Sequence, residues 1–184
     1  MFWGSVPSNE MIAELERQLA RARFEHWLSD NIFTFQWWLL VVVLIVPWFI
    51  WWRYVDRKRL LEICLVGAMA LIIASFLDAV LSEIVVWSYE FKVIPVWPRL
   101  ISADFALLPV TYMFIYQYFR EWKQFLLAMV VVSVLFAFVG EPFLIWLDIY
   151  KLHSWKHVYS FPIYIALGVL VKWLVQGLLA HTEN

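Results

Sequence analysis

Cysteine is almost missing from this chain: Cys64 is the only one in 184 residues. That excludes an intrachain disulfide and a cysteine-based metal site, and Cys64 reads as a small apolar residue of a helix. Charge is scarce too. Asp, Glu, Lys and Arg make up 16% of the residues, where a soluble domain carries about 25%. The net charge of −1 leaves no electrostatic footprint for nucleic acid. Glycine is infrequent, at 5 residues, and no glycine-rich phosphate loop, GxSxG elbow, HExxH helix or Cys–His pair occurs. The first seven residues lack the basic-then-apolar pattern of a cleaved signal peptide, so the N-terminus is expected to be retained.

What is present is apolar. Hydrophobic residues make up 64% of the chain and the mean hydropathy is +0.75. A water-soluble fold of this size leaves too much area exposed to hide so much apolar surface, so the solvent must include lipid. The chain has 13 tryptophans, and their placement is informative. Trp37 and Trp38 open the first apolar run, Trp48, Trp51 and Trp52 close it, and Trp87, Trp97, Trp122, Trp146, Trp155 and Trp173 lie at or near the ends of later runs. Indole favours the headgroup boundary, ring in the apolar layer and N–H toward water; the alternative for some of these rings is packing between helices.

At about 1.5 Å per residue, about 20 apolar residues cross the roughly 30 Å hydrocarbon core. Five runs meet this length: 32–52, 60–82, 101–119, 125–147 and 160–180. The expected fold is therefore an all-α membrane protein, a five-helix transmembrane domain over residues 31–184 preceded by an amphipathic interfacial helix within 1–30. In that helix Ser8 is the expected cap, Glu10 suits the first turn, and Ile12, Leu15 and Leu19 recur at helical spacing opposite Glu14, Arg17 and Arg21. Pro47 should bend the first span and Gly140-Glu141-Pro142 the fourth. The stretch 83–100, rich in Trp, Tyr and Pro, reads as interfacial or re-entrant.

Arg53, Arg57, Lys58 and Arg59 crowd one loop, and Arg120 and Lys123 the next loop on the same side, with Lys172 snorkelling toward the headgroups there. The positive-inside rule puts that side and the C-terminus in the cytoplasm and the N-terminus outside.

Acids inside spans are costly and usually face protein, water or a partner. Asp78, Asp104, Glu141 and Asp148 all fall toward the side opposite the basic loops. Ala70 and Ala74 precede Asp78 on one helix face and should let a neighbouring helix come close. His153 and His157, four apart, would share a face if their loop is helical, and Tyr112, Tyr116, Tyr159 and Tyr164 offer hydroxyls. Three readings follow. In the structural one, the acids pair with Arg99, Lys151 or Lys156 or cap helices. In the second, they line an outward polar cavity for a proton, ion or small ligand, since a carboxyl held away from water keeps its proton more readily; the same protein could serve as a subunit of a membrane assembly. In the third, the chain is a metal-assisted hydrolase of a lipid or lipid-linked substrate, with His153, His157 and Glu141 holding zinc. No cofactor is expected outside that third reading. The expected partners are membrane lipid and, for the subunit reading, a partner membrane protein or a homo-oligomer.

The segments ADFALLPVTYMFIYQY (103–118), GEPFLIWLDIYKLHSW (140–155) and HVYSFPIY (157–164) resemble a family of small, uncharacterised multispanning membrane proteins of Bacillus-like, spore-forming bacteria. The resemblance leaves out the N-terminal helix. It implies a bacterial plasma-membrane location and no particular activity. Asp104, Glu141, Pro142, Tyr150, Trp155 and Tyr159 stand in the matching segments.

Overall fold

The structure, a computed structural model, describes residues 7–95 and 100–182; Trp97, Pro98 and Arg99, which entered the sequence argument, lie outside the described residues. The fold is an all-α bundle with one small sheet. Helix α1 (Asn9–His26) starts at Ser8, whose hydroxyl accepts from the Met11 amide, and carries Glu10 in its first turn. None of its residues is buried. A π-helical turn, Trp27–Asn31, leads into α2 (Phe35–Tyr54), capped by Thr34.

Helix α3 (Leu60–Glu83) follows a short 3-10 turn, and the third expected span is helical from 101 to 118 as a π-turn, Ala103–Leu107, continued by α4 (Leu108–Tyr118). The fourth span is built from α5 (Trp122–Leu135), a π-turn, Phe136–Gly140, and α6 (Glu141–Trp146); α7 (His157–Thr182) is the last.

Four of these helical segments are long and apolar enough to cross a membrane: Phe35–Tyr54, Arg57–Glu83, Trp122–Trp146 and His157–His181. The segment 101–118 is less apolar because protein surrounds it. Leu108, Val110, Tyr112, Met113, Ile115, Tyr116 and Gln117 are all buried, so no lipid-facing side has to be purely hydrocarbon. Its ends reach the two ends of the bundle. Ser102 donates to the Leu40 carbonyl near the start of α2, and Gln117 bonds the Tyr54 carbonyl and the Asp56 amide beyond its end. The other helices turn large apolar side chains outward, among them Phe49, Leu61, Phe76, Leu127 and Trp173, the inside-out pattern a hydrocarbon solvent permits.

A proline stands shortly after each of the two π-turns inside the spans, Pro109 after Ala103–Leu107 and Pro142 after Phe136–Gly140, whereas Pro47 and Pro162 are carried inside uninterrupted helices. Proline has no N–H and its ring collides with the carbonyl four residues earlier, and a widened turn relieves the collision. Pro109 frees the Phe105 carbonyl, which accepts the Trp48 indole N–H at 3.1 Å. Pro142 stands two residues after the turn Phe136–Gly140, in the Gly140-Glu141-Pro142 segment where a bend is expected.

Helix α4 packs along Gly67, Ala70 and Ala74 of α3. A Cβ on Gly67 would lie 2.6 Å from the Met113 sulfur, so the small-residue face does bring the two helices into close approach.

Both α3 and α6 end the same way. Val85 and Asp148 take positive φ (58° and 56°), and the next amides, Val86 and Ile149, bond back to Leu81 and Leu144, the left-handed helix stop. Each stop launches a strand. β1 (Trp87–Tyr89) and β2 (Tyr150–Leu152) pair antiparallel, Trp87 opposite Leu152 and Tyr89 opposite Tyr150. The described part of 83–100 is therefore strand and turn laid over the helix ends, and residues 150–152 are extended, so the shared helical face imagined for His153 and His157 does not form.

Candidate functional site

Beneath this two-stranded sheet lies a cavity of about 120 Å³ whose walls include Asp78, Asp104 and Glu141, from three different membrane segments. All three carboxyls are at least nine-tenths buried. The rest of the lining is largely apolar or aromatic, with Trp87, Tyr89, Tyr150, Trp155 and Tyr164 around it.

Strand geometry supplies the donors for Asp78. Side chains alternate along a strand, so Trp87 and Tyr89 point the same way while Ser88 points the other. The Trp87 Nε1 and the Tyr89 hydroxyl both donate to Asp78 Oδ1, at 2.8 and 2.7 Å. Burial pushes the Tyr89 phenol well above the ordinary tyrosine range, and the neighbouring Asp78 pushes it further. Tyr150, stacked on Tyr89, is raised by burial first and by Glu141 and Asp78 second. Both phenols thus stay protonated at neutral pH.

Glu141 sits at the bend above Pro142. Its Oε1 accepts the Tyr164 hydroxyl at 2.9 Å, and its Oε2 lies 2.7 Å from His157 Nδ1. The Glu141 side chain is 8% exposed and that of His157 is 28%, so the imidazole stands between the cavity wall and the surroundings. Trp155 donates to Ser160 at 2.9 Å and packs edge-on against Trp87, closing the same wall.

The chain matches no family model, no curated protein and no solved structure. Its chemistry has to be argued from its own side chains.

The remaining residues singled out from sequence lie elsewhere. Asp148 is exposed and occupies the left-handed stop of α6, a position that aspartate tolerates better than most residues; its role is in the turn. His153 is exposed and bonds Ser88 on the outer face of the sheet at 2.9 Å. Tyr159 is 47% exposed and leans on Trp155. Tyr112 is buried, but its hydroxyl goes to the Tyr164 carbonyl at 2.9 Å, deeper than the cavity. Lys151 pairs with Glu90 at 3.3 Å rather than with a cavity acid.

His157 therefore meets Glu141 while His153 does not, and among the described residues no three His, Cys, Asp or Glu side chains gather as a metal ion would require. Trp87 and Tyr89 are the site residues that sequence reasoning passed over. The available signal was the alternation Trp-Ser-Tyr directly after a helix that carries an acid in its last turns.

A second polar cluster occupies the opposite end. Glu62 takes two bonds from Arg59, at 2.8 and 2.9 Å, and one from the Tyr116 hydroxyl at 2.6 Å. Lys172 does not snorkel outward. It is 1% exposed, its Nζ donates to the Phe119 and Arg120 carbonyls at 3.3 and 2.7 Å, and the rings of Phe125 and Trp122 stack around the ammonium. Tyr116, grouped with the cavity hydroxyls from sequence, belongs to this end.

Proposed function

We propose that the protein is a multi-pass membrane protein that handles protons, or a small ligand whose binding is tied to a proton, at the cavity beneath the sheet. One observation carries this reading: the Glu141 carboxyl, buried in the cavity wall, shares a 2.7 Å hydrogen bond with His157, which is only partly buried. Imidazole is the side chain whose charge changes near neutral pH. Protonated from outside at Nε2, His157 can pass its Nδ1 proton to Glu141 Oε2. The carboxylate is then neutralised, the imidazole returns to its neutral form, and the proton faces the cavity. The aromatic walls restrict what else can enter. In the subunit alternative the same cavity would seat a partner's side chain.

The loops rich in Arg and Lys lie at the other end of the bundle, which supports a cytoplasmic C-terminus and an outward-facing cavity under the positive-inside rule. The family resemblance suggests a bacterial plasma membrane as the setting. In that arrangement α1, with Ile12, Leu15 and Leu19 exposed, would rest on the outer surface of the bilayer.

The test is difference infrared spectroscopy of the reconstituted protein between pH of roughly 5 and 8. Wild type should show a carboxylic acid band that rises as the pH falls, that is missing in Glu141→Gln and that shifts its midpoint in His157→Gln. A band unchanged in both variants, with the fold intact by circular dichroism, would refute the proposal.

A further inference from the structure

The opposite end of the bundle offers a different chemistry. A cavity of about 170 Å³ is lined there by Arg59, Glu62, Tyr116, Arg120, Lys172 and Gln176. Three cations face one acid, and that acid is fully engaged, accepting from Arg59 twice and from Tyr116 once. Asp56 stands behind Arg120 at 4.0 Å, a distance at which a surface pair neutralises weakly.

The cations retain unused hydrogen-bonding capacity. An ammonium has three donors, and Lys172 directs two contacts at carbonyls. Arg120 has a side chain 70% exposed. The Arg59 Nη1 is a buried donor without a partner among the described residues, and such a group normally has one. Lysine and arginine gathered between α3, α4 and α7 at the end of the bundle form the kind of basic pocket that takes phosphate headgroups between membrane helices.

We infer that this pocket binds a phosphate group, carried by an anionic lipid headgroup or by a free phosphate, between Arg59, Arg120 and Lys172. Glu62 holds the Arg59 guanidinium in place and limits the affinity by its own charge. The proposal is independent of the proton chemistry at the other end.

The test uses the full chain in nanodiscs of phosphatidylcholine alone or with added phosphatidylglycerol, with inorganic phosphate as the soluble probe. Retained lipid is read by native mass spectrometry, and phosphate by phosphorus NMR. Arg120→Gln, exposed and outside the helix core, should weaken binding about two- to fivefold, the effect of one partly solvated charge. Glu62→Gln keeps one accepting oxygen for Tyr116 and Arg59, gives up the second Arg59 bond and, by removing the negative charge, should strengthen binding by a similar factor. Selective retention of phosphatidylglycerol that inorganic phosphate does not displace assigns the site to a lipid headgroup; phosphate binding with equal retention of both lipids assigns it to the free ion. No binding of either probe, or binding that neither variant changes, overturns the inference.

Discussion

The junction between α3 and the sheet makes a quantitative prediction. Asp78 accepts the Tyr89 hydroxyl at 2.7 Å beside the Trp87 indole. A hydrogen bond to a charged acceptor contributes about 1.5–3 kcal/mol net, whereas bonds between neutral groups in membrane bundles average about 0.6 kcal/mol. Tyr89→Phe removes only the hydroxyl. Asp78→Asn keeps the shape and an accepting oxygen but drops the charge. Each single variant also perturbs the other contacts of its residue, so the pair has to be read as a double-mutant cycle, in which those contacts cancel. The remaining coupling is the charge-assisted bond minus its neutral counterpart, about 1–2 kcal/mol. It is measured by reversible unfolding of the four proteins in mixed micelles, followed by tryptophan fluorescence. Coupling inside the additive range, below about 0.5 kcal/mol, would show that charge on Asp78 adds nothing to the Tyr89 bond and would refute the charge-assisted reading.

Two further expectations concern the same end of the molecule. Val85→Gly should raise stability by about 0.5–1 kcal/mol in the same unfolding assay, because it relieves a β-branched residue at φ 58° and loses part of that gain to glycine's extra unfolded-state entropy. Tyr89 and Tyr150 have phenols raised above the ordinary value in the folded state, so the stability linked to them is complete below about pH 10 and is lost as the pH rises past it. Their tyrosinate absorbance should emerge together with unfolding, and its appearance in fully folded protein would contradict the burial.

Much of the helical layout was legible in the residues. The runs at 32–52, 60–82, 125–147 and 160–180 correspond to helices because uncharged stretches of that length have few stable alternatives in lipid. The run at 101–119 carries Asp104 and Pro109 and reads weakly for a physical reason: it forms the interior of the bundle, where partners such as the Trp48 indole and the Leu40 carbonyl satisfy polar groups that lipid would penalise. The Ser8 cap, the small face of α3 and the bend before Pro142 were all visible as local patterns.

The sheet was not legible. Each strand has three residues, and Trp87–Tyr89 finds Tyr150–Leu152 across α4, α5 and α6, a pairing with no periodic signature. Missing it grouped His153 with His157 wrongly and hid the donors to Asp78. Lys172 was misread for a related reason. A lysine near a span end can reach headgroups, and only the fold shows that the carbonyls of Phe119 and Arg120 lie closer.

The two ends of the bundle handle a partly or fully buried glutamate in opposite ways, and the contrast bears on function. Glu62 is matched by Arg59, whose guanidinium stays charged at any physiological pH, with the Tyr116 hydroxyl completing its shell. Such an arrangement has one protonation state and acts as a strut between α3 and α4. Glu141 has the same tyrosine contact from Tyr164, but its second partner is His157, the one side chain that changes charge near neutrality. If the requirement at Glu141 were only to compensate a buried charge, arginine would do so without the pH sensitivity. A titratable partner on a carboxyl that lines a cavity is what the proposed proton handling requires, and the Arg59–Glu62 pair is its pH-insensitive counterpart at the other end of the same bundle.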